Sequence, residues 1–118
     1  MRTLAIIASL LIASVFADTA QAHAFLDHAS PLVGSTVQTA PRELTLTFTQ
    51  NLEPAFSTVQ VIGPNGQRAD AGKPQISGNT MRVAIRASGS GAYHVRWHAL
   101  SVDTHTTQGS YTFTVGGK

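Results

Sequence analysis

The sequence has no cysteine, which excludes both a disulfide framework and a thiolate metal centre. Charge is sparse too: Asp, Glu, Lys and Arg make up 12% of residues, and the formal net charge is +2. No run of Lys and Arg exists. Arg82, Arg86 and Arg96 are spread out rather than clustered, so nucleic acid is not an expected partner. Methionine occurs only as Met1 and Met81, too few for a thioether-rich site. The longest apolar run, Leu4 to Phe16, is broken by Ser9 and Ser14 and is too short to span a bilayer as a stable helix. Nothing after Ala22 is longer, so the remainder is not expected to be membrane-embedded.

What the first segment does contain is a basic Arg2, that apolar run, and Ala20-Gln21-Ala22, a small-x-small cleavage site. These features predict a secretory signal peptide over 1–22 and one mature domain over 23–118. Cleavage after Ala22 makes His23 the first mature residue. Its free α-amine and Nδ1 can then close a six-membered chelate ring on a metal ion. An internal histidine cannot do this without losing an amide proton.

The mature part reads as β structure throughout. The leading segment, 23–41, carries Ser30-Pro31 and Ala40-Pro41 with no helical period, and is expected to be extended and then to turn. Leu44, Leu46 and Phe48 alternate with threonines, predicting a strand over 43–49 with the large residues inward. A second run, 56–62, ends at Gly63-Pro64-Asn65-Gly66, and a short strand over 67–70 is expected to pair back across that turn. The spacing then predicts a loop over 72–78, a strand around Met81, Val83 and Ile85, and a turn at Ser88-Gly89-Ser90-Gly91. In the next strand Tyr93, Val95 and Trp97 point inward, opposite His94, Arg96 and His98. A last strand, 109–115, puts Tyr111, Phe113 and Val115 inward. Alternation without a helical segment predicts an all-β, immunoglobulin-like antiparallel sandwich of about seven strands.

Five histidines occur, and one lies in Asp103-Thr104-His105, between the two clearest strands. An Asp-x-His spacing brings a carboxylate and an imidazole to the same side of an extended backbone. With His23 the set becomes three nitrogens and one oxygen: the amine, His23 Nδ1, Asp103 and a His105 nitrogen. That combination suits a tetragonal Cu(II) ion, which sits at the top of the divalent affinity order, whereas zinc prefers a tetrahedron. His94 and His98 are expected on the solvent side, with His98 a candidate to support the site without binding the ion. His28 reads as an exposed residue of the leading segment, or as a weak additional ligand.

Assembled in order, these residues resemble the CopC family of periplasmic copper-binding proteins. The resemblance is carried by His23-Ala24-Phe25-Leu26, Ser30-Pro31, Pro54-Ala55-Phe56-Ser57, Gly91-Ala92-Tyr93 with Val95 and Trp97, Ser101 to His105, and Gly109 to Phe113. It implies a Greek-key β-barrel or sandwich and a Cu(II) site at the positions matching His23, Asp103 and His105. It also implies a role in copper homeostasis or resistance in the periplasm, with delivery to an inner-membrane transporter of the CopD type. The family often has Gly between the Asp and the His, where this chain has Thr104. Some members carry a Met- and His-rich Cu(I) site; this chain has nothing equivalent and resembles the single-site Cu(II) branch. The chain is read as a monomer without enzymatic turnover. The competing readings are a copper-dependent oxidative enzyme of histidine-brace type and an immunoglobulin-like module without metal.

Overall fold

The computed structural model describes residues 24–86 and 89–116. The expected signal segment 1–22 and His23 lie outside the described residues. Eight strands are described: β1 (Leu26–Ser30), β2 (Thr36–Val37), β3 (Glu43–Phe48), β4 (Thr58–Ile62), β5 (Asp70–Ser77), β6 (Thr80–Ile85), β7 (Gly91–Leu100) and β8 (Thr106–Val115). They form two four-stranded sheets, ordered β1-β3-β6-β5 and β2-β8-β7-β4. The expected β-sandwich is borne out. Among the described residues no helix is long and apolar enough to cross a membrane.

The period-2 patterns act as the sequence requires. Leu44, Leu46 and Phe48 of β3 face Tyr93, Val95 and Trp97 of β7 across one core, and all are buried. Phe48 meets Trp97 edge to face, with ring centroids 5.0 Å apart. Tyr93 stacks on its cross-strand neighbour Phe113 at 5.1 Å. Such pairs add roughly 0.5–1.5 kcal/mol each beyond the area they bury.

Two expectations change. The leading segment is not merely extended: β1 joins one sheet beside β3, and β2 joins the other, parallel to β8. The chain thus crosses between the sheets before its first long strand. The expected loop over 72–78 is instead mostly strand, because β5 runs through Pro74 to Ser77. Proline lacks the N–H a central strand needs, but β5 lies at a sheet edge, where proline is tolerated. Gly72, at φ +81°, takes up the irregularity between Ala71 and Gln75.

The turn before β5 is held by one carboxylate. Asp70 accepts from the Val61 N–H at 2.8 Å and from Arg68 Nε and Nη2 at 2.8 and 2.7 Å. Burial alone would raise the Asp70 pKa, but the Arg68 fork and the backbone N–H outweigh it and hold it below the ordinary value. A depressed carboxyl stabilises the fold above its unfolded pKa and loses that contribution as pH falls through the folded one. Asp70→Asn is therefore expected to cost about 1.5–3 kcal/mol at pH 7. The gap to the parent should narrow as pH drops below about 4; urea unfolding across that range measures it.

Candidate metal centre

The β7–β8 hairpin pairs without interruption from Gly91↔Val115 to Leu100↔Thr106, and its tip is the segment 101–105. The tip is tied down at its base. Glu53 N–H donates to the Leu100 carbonyl at 2.8 Å, and Val102 N–H donates to the Asn51 carbonyl at 3.0 Å. Ser57 Oγ accepts from the Leu100 N–H at 3.1 Å. Ser101 N–H donates to the His105 carbonyl at 3.0 Å, and Thr104 N–H to the Ser101 carbonyl at 2.9 Å. The exposed part of the loop thus stands on a fixed stem.

Two of the three expected site residues meet there. His105 Nδ1 lies 3.3 Å from Asp103 Oδ1, and both side chains are about half exposed, at 48% and 44%. Neighbouring donors on one ion with bonds of about 2.1 Å sit about 3 Å apart, so the spacing of this pair is compatible with a shared ion. Ser101, fully buried and given no role from the sequence, donates its hydroxyl to Asp103 Oδ1. That hydrogen bond is the main reason the Asp103 pKa is lowered; partial burial opposes it and the contact with His105 adds to it. The bond fixes the carboxylate's orientation beside His105 and favours its charged form. The signal for Ser101 was its spacing, since a hydroxyl two residues before an Asp can reach that side chain in a turn.

His23 lies outside the described residues, but its covalent neighbour is fixed. Ala24 is fully buried, and its carbonyl accepts from Thr107 Oγ1 at 2.5 Å. Thr107 is two residues beyond His105. Phe25 N–H donates to Thr49 Oγ1 at 2.9 Å, and its carbonyl accepts the Thr49 N–H at 2.9 Å. The chain therefore arrives at β1 alongside the hairpin tip. Among the described residues no third His, Cys, Asp or Glu joins Asp103 and His105. His28 is drawn to Asp27 instead, with Nδ1 2.9 Å from Oδ2. His94 and His98 lie exposed along β7, as expected.

The loop differs from the extended geometry that the Asp-x-His spacing suggested. Thr104 adopts φ +74°, the left-handed region, and the turn it makes brings Asp103 and His105 together. A β-branched residue pays there, by roughly 1–2 kcal/mol. Thr104→Gly removes that cost but gives up chain entropy of about 0.5–1 kcal/mol, so a net gain of about 0.5–1 kcal/mol is expected. Urea unfolding midpoints at unchanged slope would measure it.

The CopC domain family matches residues 26–116. The protein YobA of Escherichia coli (strain K12) is 33% identical over 118 residues, covering 97% of this chain and 95% of the relative. Copper resistance protein C of Xanthomonas campestris pv. juglandis is 29% identical over 123 residues, covering 97% and 96%. Among solved structures, CopC from Methylosinus trichosporium OB3b superposes with a TM-score of 0.74 at 28% identity, covering 80% of this chain and 95% of that one.

Proposed function

The chain belongs to the CopC family, and from that premise we propose that it is a periplasmic Cu(II)-binding protein that buffers or delivers copper without turnover. Copper is cargo here. Its ligands are the His23 amine and imidazole, the Asp103 carboxylate and the His105 imidazole, in the mature domain 23–118 that follows cleavage of 1–22. The observation that carries this reading is the oriented Asp103–His105 pair, with the Ala24 carbonyl bound to Thr107 next to it. A carboxylate among nitrogen donors favours Cu(II) over Cu(I), which suits holding the ion more than cycling it. The acceptor is an inner-membrane copper transporter of the CopD type, and the protein acts as a monomer.

Titration of Cu(II) into the protein beginning at His23, read by EPR, tests the site. One tetragonal ion per chain is expected. The same titration on a form with one extra residue before His23 should show a sharp loss of affinity, because the amine chelate is gone. Equal binding by both forms would refute the role of the amine.

A further inference from the structure

The outer face of the β2-β8-β7-β4 sheet carries a pattern that the copper site does not use. His94, Arg96 and His98 alternate outward along β7, and all three are exposed. Each is flanked on both sides by its register partners. His94 lies between Ile62 and Thr112, Arg96 between Gln60 and Ser110, and His98 between Thr58 and Gln108. Two adjoining hollows run along this row. One of ≈ 460 Å³ has Thr58, Gln60, Arg96, His98, Gln108 and Ser110 around a floor of Trp97 and Gly109. The other, of ≈ 370 Å³, shares Arg96 and Ser110 and adds His94 and Thr112, with Ile62, Val95 and Tyr111 also in its lining.

The electrostatics of this face are one-sided. None of its four strands contains an Asp or Glu. The ion pairs among the described residues join Asp27 to His28, Arg68 to Asp70 and Asp103 to His105, and none takes in Arg96. A guanidinium whose neighbours are hydroxyls, amides and imidazoles is set to receive a carboxylate from outside.

We infer that this face is a docking surface for an extended, carboxylate-rich segment of a protein partner, with Arg96 as its ionic anchor and His94 and His98 as flanking donors. Side chains two apart on β7 repeat every 6.6–6.8 Å or so, as do alternate side chains of any extended peptide laid along it. Three such positions span about 13 Å, longer than a single small anion. A bilayer fits poorly, because the exposed large apolar residues (Phe25, Leu32, Val33, Phe56 and Val102) all lie off β4, β7 and β8 and give no anchor here.

The test is independent of the copper site. The protein, with and without Cu(II), is titrated with a peptide of alternating Glu and Thr and with its Gln-Thr counterpart, and amide chemical shifts are followed. The expected result is at least about tenfold tighter binding of the Glu peptide, with shifts confined to β4, β7 and β8. Arg96→Glu should abolish this preference and Arg96→Lys should reduce it. The far-ultraviolet circular dichroism should not change, since Arg96 is exposed. Equal binding of both peptides, or an unchanged preference in Arg96→Glu, would overturn the inference. So would equal affinity for inorganic phosphate or for phosphatidylglycerol vesicles, which would point to a simple anion site or a lipid surface.

Discussion

Changing His105 to alanine is expected to lower copper affinity about 100-fold or more while leaving the melting temperature nearly unchanged. Loss of a group that only orients a metal ligand commonly costs about 10–100-fold, so loss of a ligand itself should reach or pass the upper end. The fold should tolerate the change because the His105 side chain is about half exposed at the hairpin tip, while the stem is held by backbone bonds from Ser101, Val102 and Glu53. Ser101→Ala should separate orientation from ligation. It leaves both proposed ligands in place but removes the hydroxyl that fixes Asp103, so a smaller loss, about tenfold, is expected. Isothermal titration against a competing chelator measures both variants. The pH dependence has a definite sign. Protons compete for the amine, with an ordinary pKa of about 7.7–8.0, so affinity should fall as pH drops through that range. Asp103, already lowered by Ser101, stays ionised throughout it.

Much of this was legible in the sequence, for a physical reason. Where one face of a strand is buried, alternation specifies both the strand and its facing, and β3, β7 and β8 follow their patterns residue by residue. At the edges the signal fails. β5 looked like a loop because Gly72 and Pro74 are turn residues by local preference, yet an edge strand accepts both. β2 is two residues long and has no pattern to read. At the site, the Asp-x-His spacing pointed to two side chains that do meet, but the means differ. A left-handed Thr104 and a buried Ser101 bring the two side chains together, and neither feature follows from an extended backbone. The link from Ala24 to Thr107 spans most of the chain, and no local reading could have found it.

Gly109→Ala is expected to destabilise the protein by about 2 kcal/mol although it adds a single methyl group. Nothing in the Gly109 backbone demands glycine, and Ala should by itself stabilise by roughly 0.5–1 kcal/mol through the unfolded chain. Space decides the sign. Gly109 pairs with Trp97, and a Cβ there would stand 2.6 Å from Cζ2 and 2.9 Å from Cε2 of the indole. The ring cannot retreat easily, because it is buried and packed against Phe48. Either β8 moves away from β7 or the indole leaves its place, and overpacking of this kind costs about 1–3 kcal/mol, occasionally more. For a domain this size, about 2 kcal/mol is a fall in melting temperature of roughly 8–16 °C. Trp97 is the only tryptophan, so its emission should shift in the folded variant and report the displacement directly. Trp97→Leu alone should cost about 3 kcal/mol, but in the Gly109→Ala background it removes the clash as well. The double variant should then be more stable than the sum of the two by about 1–2 kcal/mol. Strict additivity would mean that the methyl and the indole never meet. The displacement also bears on the proposed metal site, because Thr107, which holds the Ala24 carbonyl, is two residues upstream on the same strand. Gly109→Ala should therefore weaken copper binding without touching a ligand, and Trp97→Leu should restore part of it.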